Sequence, residues 1–330
     1  MKHSIAFALS FTAVSAALAQ NNPSVNQADT TRMQRDTDKV LRDIQPGDTL
    51  PSLYSEEDAD IGPQTVLRKK KQTWVRGLWD GQLFYTDNMN FTEHDERDAV
   101  VAVNTLEAAL TPPKCITRCA SFAPEIGYRH QFFNYLGGDG RDDFDFDSST
   151  VFANVLAQTK HYQLRMGADW TRLISREDES EFYREYVPRW SLQRNFRVCD
   201  RSMFSVSYQG SYHFTEEGTP DITKPFFVKL GPIADDRSER WEHTFLAAYS
   251  MALPGKLVAQ PYYRFQLNDF VNGDECYNIH TVGFALGWFP CANFGVRGFV
   301  GYNWSESSNS SATEYTKLDA GGGISAMLRF

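Results

Sequence analysis

Charged residues of opposite sign recur along this chain two or four positions apart. Arg76 and Asp80, Glu125 and Arg129, Arg165 and Asp169, Glu185 and Arg189, and Lys317 and Asp319 are such pairs; Arg264 and Arg297 stand alone. An even spacing places each pair on one face of a β-strand, because successive side chains alternate between faces. Facing a confined space, these groups can pair and merely fill it, since inward charges cost little once matched and hydrated. Alternatively they line a path that orients small polar or charged solutes. Ser211 and His213 add a hydroxyl and an imidazole on one polar face. The plain reading of that pair is two lining residues, and catalysis would further require a nucleophile held against its base.

Two other patterns carry less chemistry. "GGDGRDDFD", from Gly137 to Asp145, fits a calcium-binding β-roll repeat with Asp142 as the ligand-bearing position. Such sites form only between stacked turns, so one copy is an ordinary acidic loop, and no metal or cofactor is expected. The whole chain carries 33 basic and 42 acidic residues, a net charge of −9, which argues against nucleic acid as a partner.

The elements that hold these residues are strands. "FSVSYQGSYHFT" puts Phe204, Val206, Tyr208, Tyr212 and Phe214 on one face, and Ser205, Ser207, Gln209, Ser211 and His213 on the other. From Trp74 onward twelve such stretches follow: 73–87, 98–110, 120–134, 148–159, 161–175, 180–196, 202–215, 237–253, 257–270, 276–289, 294–306 and 312–330. Each approaches or exceeds the roughly 9–11 residues that cross a bilayer. The second and fourth alternate poorly, which leaves their register open. Connections after even strands are short ("KH", "PGK", "PCAN"), and those after odd strands tend to be long and acidic. That asymmetry separates a periplasmic from an extracellular side. An even strand count puts both chain ends of the barrel on the short-turn side.

The flanks agree. "MKHSIAFALSFTAVSAALAQ" has a basic start, an apolar run and Ala17-Leu18-Ala19, the form of a secretory leader over residues 1–19. Residues 20–72 differ in kind. "TTRMQRDTDKVLRDI" brings Met33, Val40, Leu41 and Ile44 near one helical face, a turn-rich acidic stretch follows, and Arg68 to Lys71 form a basic run. This periplasmic extension has three readings: a solvated linker, a plug entering the lumen, or a docking segment. The last strand closes on "GGGISAMLRF", with Ile324, Ala326, Leu328 and Phe330 sharing one face to the final residue.

On these features the chain resembles a Gram-negative outer-membrane β-barrel protein of the porin-like kind. The resemblance implies an all-β, up-and-down transmembrane barrel of about twelve strands over 73–330, inserted in outer-membrane lipid. It also implies that Ile324, Ala326, Leu328 and Phe330 are read by the barrel-assembly machinery. Twelve strands tilted about 40° close a cylinder roughly 24 Å across, narrow enough to restrict passage to small solutes. Outer-membrane phospholipase is a barrel of similar size with Ser, His and Asn facing lipid, whereas Ser211 and His213 face inward by alternation. The first functional reading is therefore a non-enzymatic channel for small hydrophilic solutes. A closed structural or adhesive barrel is the second, and a barrel enzyme the third.

Two local expectations complete the reading. Cys115, Cys119, Cys199 and Cys291 fall on short turns; turns four strands apart are too distant to bridge, which leaves Cys115–Cys119 as the disulfide candidate. The loop after the seventh strand carries Phe226, Phe227, Val228, Leu230 and Ile233 between Pro225 and Pro232. Five exposed apolar side chains form an unusual patch, so this loop is expected to fold inward as a constriction.

Overall fold

The alternating stretches become the wall of a cylinder. The structure, a computed structural model, describes residues 23–43 and 74–330 apart from 94–95, 118, 137–143, 160, 178, 218–237, 272–275, 292 and 309–313. The leader, the basic run, Asp142 and the five apolar residues of the 224–233 loop lie outside the described residues. The strands are β1 (Val75–Thr86), β2 (Ala99–Leu110), β3 (Cys115–Ile116), β4 (Ser121–Leu136), β5 (Phe146–Gln158), β6 (Tyr162–Ser175) and β7 (Glu181–Cys199). They continue with β8 (Ser202–Glu217), β9 (Arg240–Leu253), β10 (Leu257–Phe270), β11 (Cys276–Cys291), β12 (Phe294–Ser307) and β13 (Tyr315–Arg329). Neighbours pair antiparallel in chain order, β13 returns to β1, and β2 passes over the two-residue β3 to pair with β4. The result is a closed, twelve-stranded, up-and-down antiparallel barrel with β3 as a small hairpin arm on β4.

Closure depends on the end of the chain. β13 runs beside β1 from Arg76↔Arg329 to Thr86↔Asp319. A Cβ on Gly321 would lie 2.3 Å from Cβ of Phe84 and 2.4 Å from the Leu83 carbonyl oxygen, so the seam requires glycine there. The Phe330 N–H donates to the Val75 carbonyl at 2.9 Å, and its own carbonyl accepts from Trp74 N–H at 2.7 Å. The last residue is thus the last rung of the seam.

The two faces of the wall differ as the alternation requires. Leu83, Val151, Phe245, Tyr263 and Val282 face outward, while Asp80, Gln131, Ser211, Thr244 and Asn303 are buried inside. Trp74, Phe122, Tyr162, Phe196, Trp288 and Phe294 are exposed near the short-turn ends of their strands, Phe214 and Trp241 near the other, with Phe245, Tyr263 and Phe284 between them. A continuous apolar and aromatic outer face around a polar interior is the surface of a transmembrane barrel. The wall is that of a closed transmembrane-type β-barrel.

Two expectations change. The poor alternation of β2 and β5 has a cause: they carry apolar residues inward as well as outward. Val101, Val103 and Phe146 join Phe84, Phe133, Tyr135, Leu173 and Tyr183 in a buried cluster inside the outer half of the lumen. The disulfide candidate also differs, since Cys115 and Cys119 are both exposed free thiols. Cys115 lies in register with Phe122 on β4, while Cys119 sits in the turn, which Thr117 ties to Ala120. The hairpin is closed by backbone pairing without a sulfur bridge.

Deleting Phe330 removes the terminal rung and an outward-facing anchor together. The expected outcome is a several-fold fall in heat-modifiable barrel recovered from the outer membrane. Wild-type recovery on semi-native electrophoresis would contradict it.

Candidate functional site

The lumen is occupied. Residues Pro23–Asp43 form one helix, α1, and its Ser24, Gln27, Thr31, Arg32, Met33 and Thr37 are buried within the barrel. Pro23 suits a first helical position, and no glycine or further proline interrupts the next twenty residues. A helix this polar all round has no apolar core to join. It finds its partner in a polar wall. The sequence places a short helix in a periplasmic extension; the observed helix begins seven residues earlier and lies in the lumen, held by charge rather than by a greasy stripe.

Its direction follows from its contacts. Lys317 Nζ, near the long-loop end of β13, donates to Gln27 Oε1 at 3.1 Å. Farther down, Arg189 Nη1, mid-way along β7, meets Asp36 Oδ2 at 3.2 Å. The N-terminal end of α1 therefore lies toward the long-loop mouth and its later turns toward the short-turn end. Val25 and Ala28 pack on the buried aromatic cluster. The β1–β2 loop closes over the same region. Asn88, Met89 and Phe91 are buried, the Asn88 amide donates to the Thr316 carbonyl at 2.9 Å, and Phe91 stacks edge-on to Tyr315 at 5.3 Å.

The strongest anchor is Arg32. Its Nη2 donates to Glu242 Oε2 at 2.8 Å, and its Nη1 stands 3.3 Å from His213 Nε2. His213 Nδ1 is 2.9 Å from Glu185 Oε2, which also accepts from the Tyr183 hydroxyl at 3.1 Å. A carboxylate only accepts, so Nδ1 carries the proton and Nε2 is left to accept from Arg32. Burial works against the Arg32 charge, yet Glu242, Asp29, Glu185 and Asp36 together outweigh it and raise its pKa well above the ordinary range. Arg240 adds a second tie to Asp29. Arg35 is less well matched. It donates to Gln131 Oε1 at 3.1 Å, while burial, then the Arg129 charge, pull its pKa down to about 9.

The charged residues singled out from the sequence form several groups around this helix. Arg76 meets Glu107 at 2.5 Å and also Glu125, and Arg129 meets Glu107 at 2.8 Å. Arg297 makes a two-pronged contact with Asp80 at 2.7 and 2.9 Å. Arg189 bridges Asp169 at 3.1 Å and Asp36. Lys317 lies 3.5 Å from Asp319, and Arg264 donates to the Thr281 hydroxyl at 3.0 Å. Arg165 lines an open cleft beside Arg189. Sequence reasoning missed Glu107, Arg240 and Glu242. Glu107 stands in the irregular β2, and Arg240 and Glu242 lie within the expected eighth strand on its inward face.

Ser211 Oγ lies 3.3 Å from His213 Nε2, so hydroxyl, imidazole and the Glu185 carboxylate form a line. That line is sealed. Ser211 and His213 are 0% exposed, and the nitrogen that would take a proton also faces Arg32 and Glu242. The arrangement serves to seat the helix.

Two clefts remain beside α1. One lies toward the long-loop mouth against β10–β13, bordered by Asp29, Arg264, Asn303 and Lys317. The other lies toward the short-turn end against β5–β8, bordered by Asp36, Arg165, Arg189 and Gln193. Each is small, with room for only a few waters. The helix stands between them.

No family model and no curated protein matches the chain. Among solved structures it is similar to an outer-membrane channel from Pseudomonas putida F1, at 10% identity and TM-score 0.47, over 82% of this chain and 100% of that one. It is also similar to the translocator domain of the autotransporter NalP from Neisseria meningitidis, at 11% identity and TM-score 0.43, over 91% and 97% of the two chains. A third similar structure is Acinetobacter baumannii OccAB3, at 10% identity and TM-score 0.35, over 78% and 99%.

Proposed function

We propose that the chain is a channel for small hydrophilic solutes, with residues 1–19 as a removed leader, 20–72 as a segment that supplies the gate, and 73–330 as the barrel. The observation that carries this reading is the pair of polar clefts at opposite ends of the lumen, separated by α1. A lumen built only to be filled would have no use for charged clefts opening alongside its plug. Both clefts present arginine and carboxylate side chains, which suit polar or charged solutes and exclude apolar ones. Passage requires α1 to shift or leave. Its anchors are ion pairs and hydrogen bonds to the wall, which can re-form with water or solute.

One observation favours the second reading, a closed barrel that presents its loops to partners. The aromatic cluster, the β1–β2 loop and Val25 and Ala28 pack one side of the outer lumen. Planar-bilayer recordings separate the two. Removing residues 23–43 is expected to raise unitary conductance several-fold while the barrel keeps its heat-modifiability. A folded barrel that stays silent with and without α1 would establish the closed reading instead.

A point substitution tests the gate itself. Arg32→Ala takes from buried Glu242 the cation bonded to it, and breaking one partner of a buried pair costs about 3 kcal/mol or more. That corresponds to roughly a hundredfold weaker seating of the helix. The expected outcome is a rise in open-channel probability without a change in full-open conductance. Unaltered gating would show that Arg32 does not hold the gate.

A further inference from the structure

The cleft at the long-loop mouth holds a charge that the fold leaves unmatched. Its floor is one cross-strand row on the inward face of β10 to β13, where the register reads Arg264↔Thr281↔Asn303↔Lys317. Elsewhere in the lumen Arg76, Arg129, Arg189 and Arg297 each meet a carboxylate. Arg264 meets none among the described residues. It is 6% exposed, its Nη2 donates to the Thr281 hydroxyl at 3.0 Å, and its Nε has no partner among the described residues. Ser305, two residues along β12 from Asn303, is 4% exposed, and its hydroxyl also lacks a partner among the described residues. Both side chains border the cleft. A buried cation without a counter-charge is costly, so this corner of the lumen calls for an anion.

The other walls of the cleft suit the same charge. Lys317 closes the far end of the row, with its ammonium shared between Gln27 Oε1 at 3.1 Å and Asp319 at 3.5 Å. Facing the row is the start of α1. Asn26 of the first turn borders the cleft, and that turn holds no acidic residue. The first turn of a helix carries free N–H groups and the positive end of its dipole. Asp29 borders the cleft too, but its carboxylate is already held by Arg32 at 3.4 Å and by Arg240. Room for only a few waters limits an occupant to about the size of acetate or inorganic phosphate. A forked guanidinium and a hydroxyl are directed donors, which match the several oxygens of an oxyanion better than a halide.

We propose that this cleft binds a small oxyanion, a carboxylate or phosphate group, between Arg264 and Ser305 of the wall and the first turn of α1. The site deepens the channel reading, on which it rests for the route of entry, by naming small anions as the solute class. Because the anion touches wall and helix together, its presence ties α1 more firmly to β10–β13.

The test measures binding of inorganic phosphate to the full-length barrel in mild detergent, by isothermal titration calorimetry at constant ionic strength. Arg264→Gln is expected to weaken binding about tenfold or more, the loss that follows removal of a charged hydrogen-bond donor. Ser305→Ala is expected to weaken it several-fold, and acetate to compete. Arg197→Gln, at an exposed ion pair with Asp200 by the short turns, is expected to leave binding unchanged. Removing residues 23–43 is expected to weaken binding, because the helix side of the site is then gone. Should Arg264→Gln not fold, Ser305→Ala and the helix deletion carry the test. No saturable binding by the wild type, equal binding by the folded Arg264→Gln or helix-deleted barrel, or displacement by equimolar chloride would overturn the proposal. Phosphate binding by a barrel that is silent in planar bilayers would sustain the site and count against conduction; conduction without binding would do the reverse.

Discussion

A closed barrel forces every second side chain into a confined space, and charges sent there must find partners within reach. That constraint organises this lumen. Arg32 on the helix faces Glu242 and, through His213, Glu185; Arg240 and Arg189 reach back to Asp29 and Asp36 on the helix. The wall donates two cations to the helix and receives one in return. Neither part is matched alone. Removing the helix would leave Glu242 and Glu185 facing each other across His213, with only wall cations and water to compensate.

The same constraint sets how the helix is seated. An apolar plug in an apolar bore is held by area and leaves only by exposing it to water. A polar plug exchanges contacts one for one, so its seating depends on geometry and on how many ion pairs close together. Val25 and Ala28 add an apolar foothold at the outer end, where they pack on the buried cluster whose Phe133 and Phe146 rings stack 4.3 Å apart. The later turns, toward Asp36, rest on charge. The half of α1 held by charge is the end nearer the linker to β1.

The strand plan was largely legible because alternation is strongest where one face meets lipid and the other water. β8 and β10 satisfy this over their whole length, and their expected limits agree with the observed ones within two residues. β2 hid its register because Val101 and Val103 belong to an internal cluster, and β5 because Phe152 is buried on the inward face, which a two-sided rule cannot foresee. Inward charges such as Arg129 and Asp169 could be placed on a face, but their partners could not. Glu107 pairs with Arg129 from the neighbouring strand β2, and Asp36 reaches Arg189 from a helix far off in sequence. The plug was visible only as one alternative among three, because helical periodicity shows that a segment can coil and not where it docks.

Charge compensation also accounts for the difference between the two faces of β6 and β7. On the inside, Asp169, Arg189 and Glu185 are matched by the wall and by α1. On the outside, the same two strands carry Arg172 and Arg184 as direct cross-strand partners. Folding alone would be expected to avoid that placement, since a glutamate at either position would relieve the repulsion and preserve the strand. Glu181 on the same strand answers Arg184 at 2.7 Å, so part of that cost is met within the chain. Inside the barrel the compensating groups come from facing strands and from the helix; outside, the one beside Arg184 comes from its own strand.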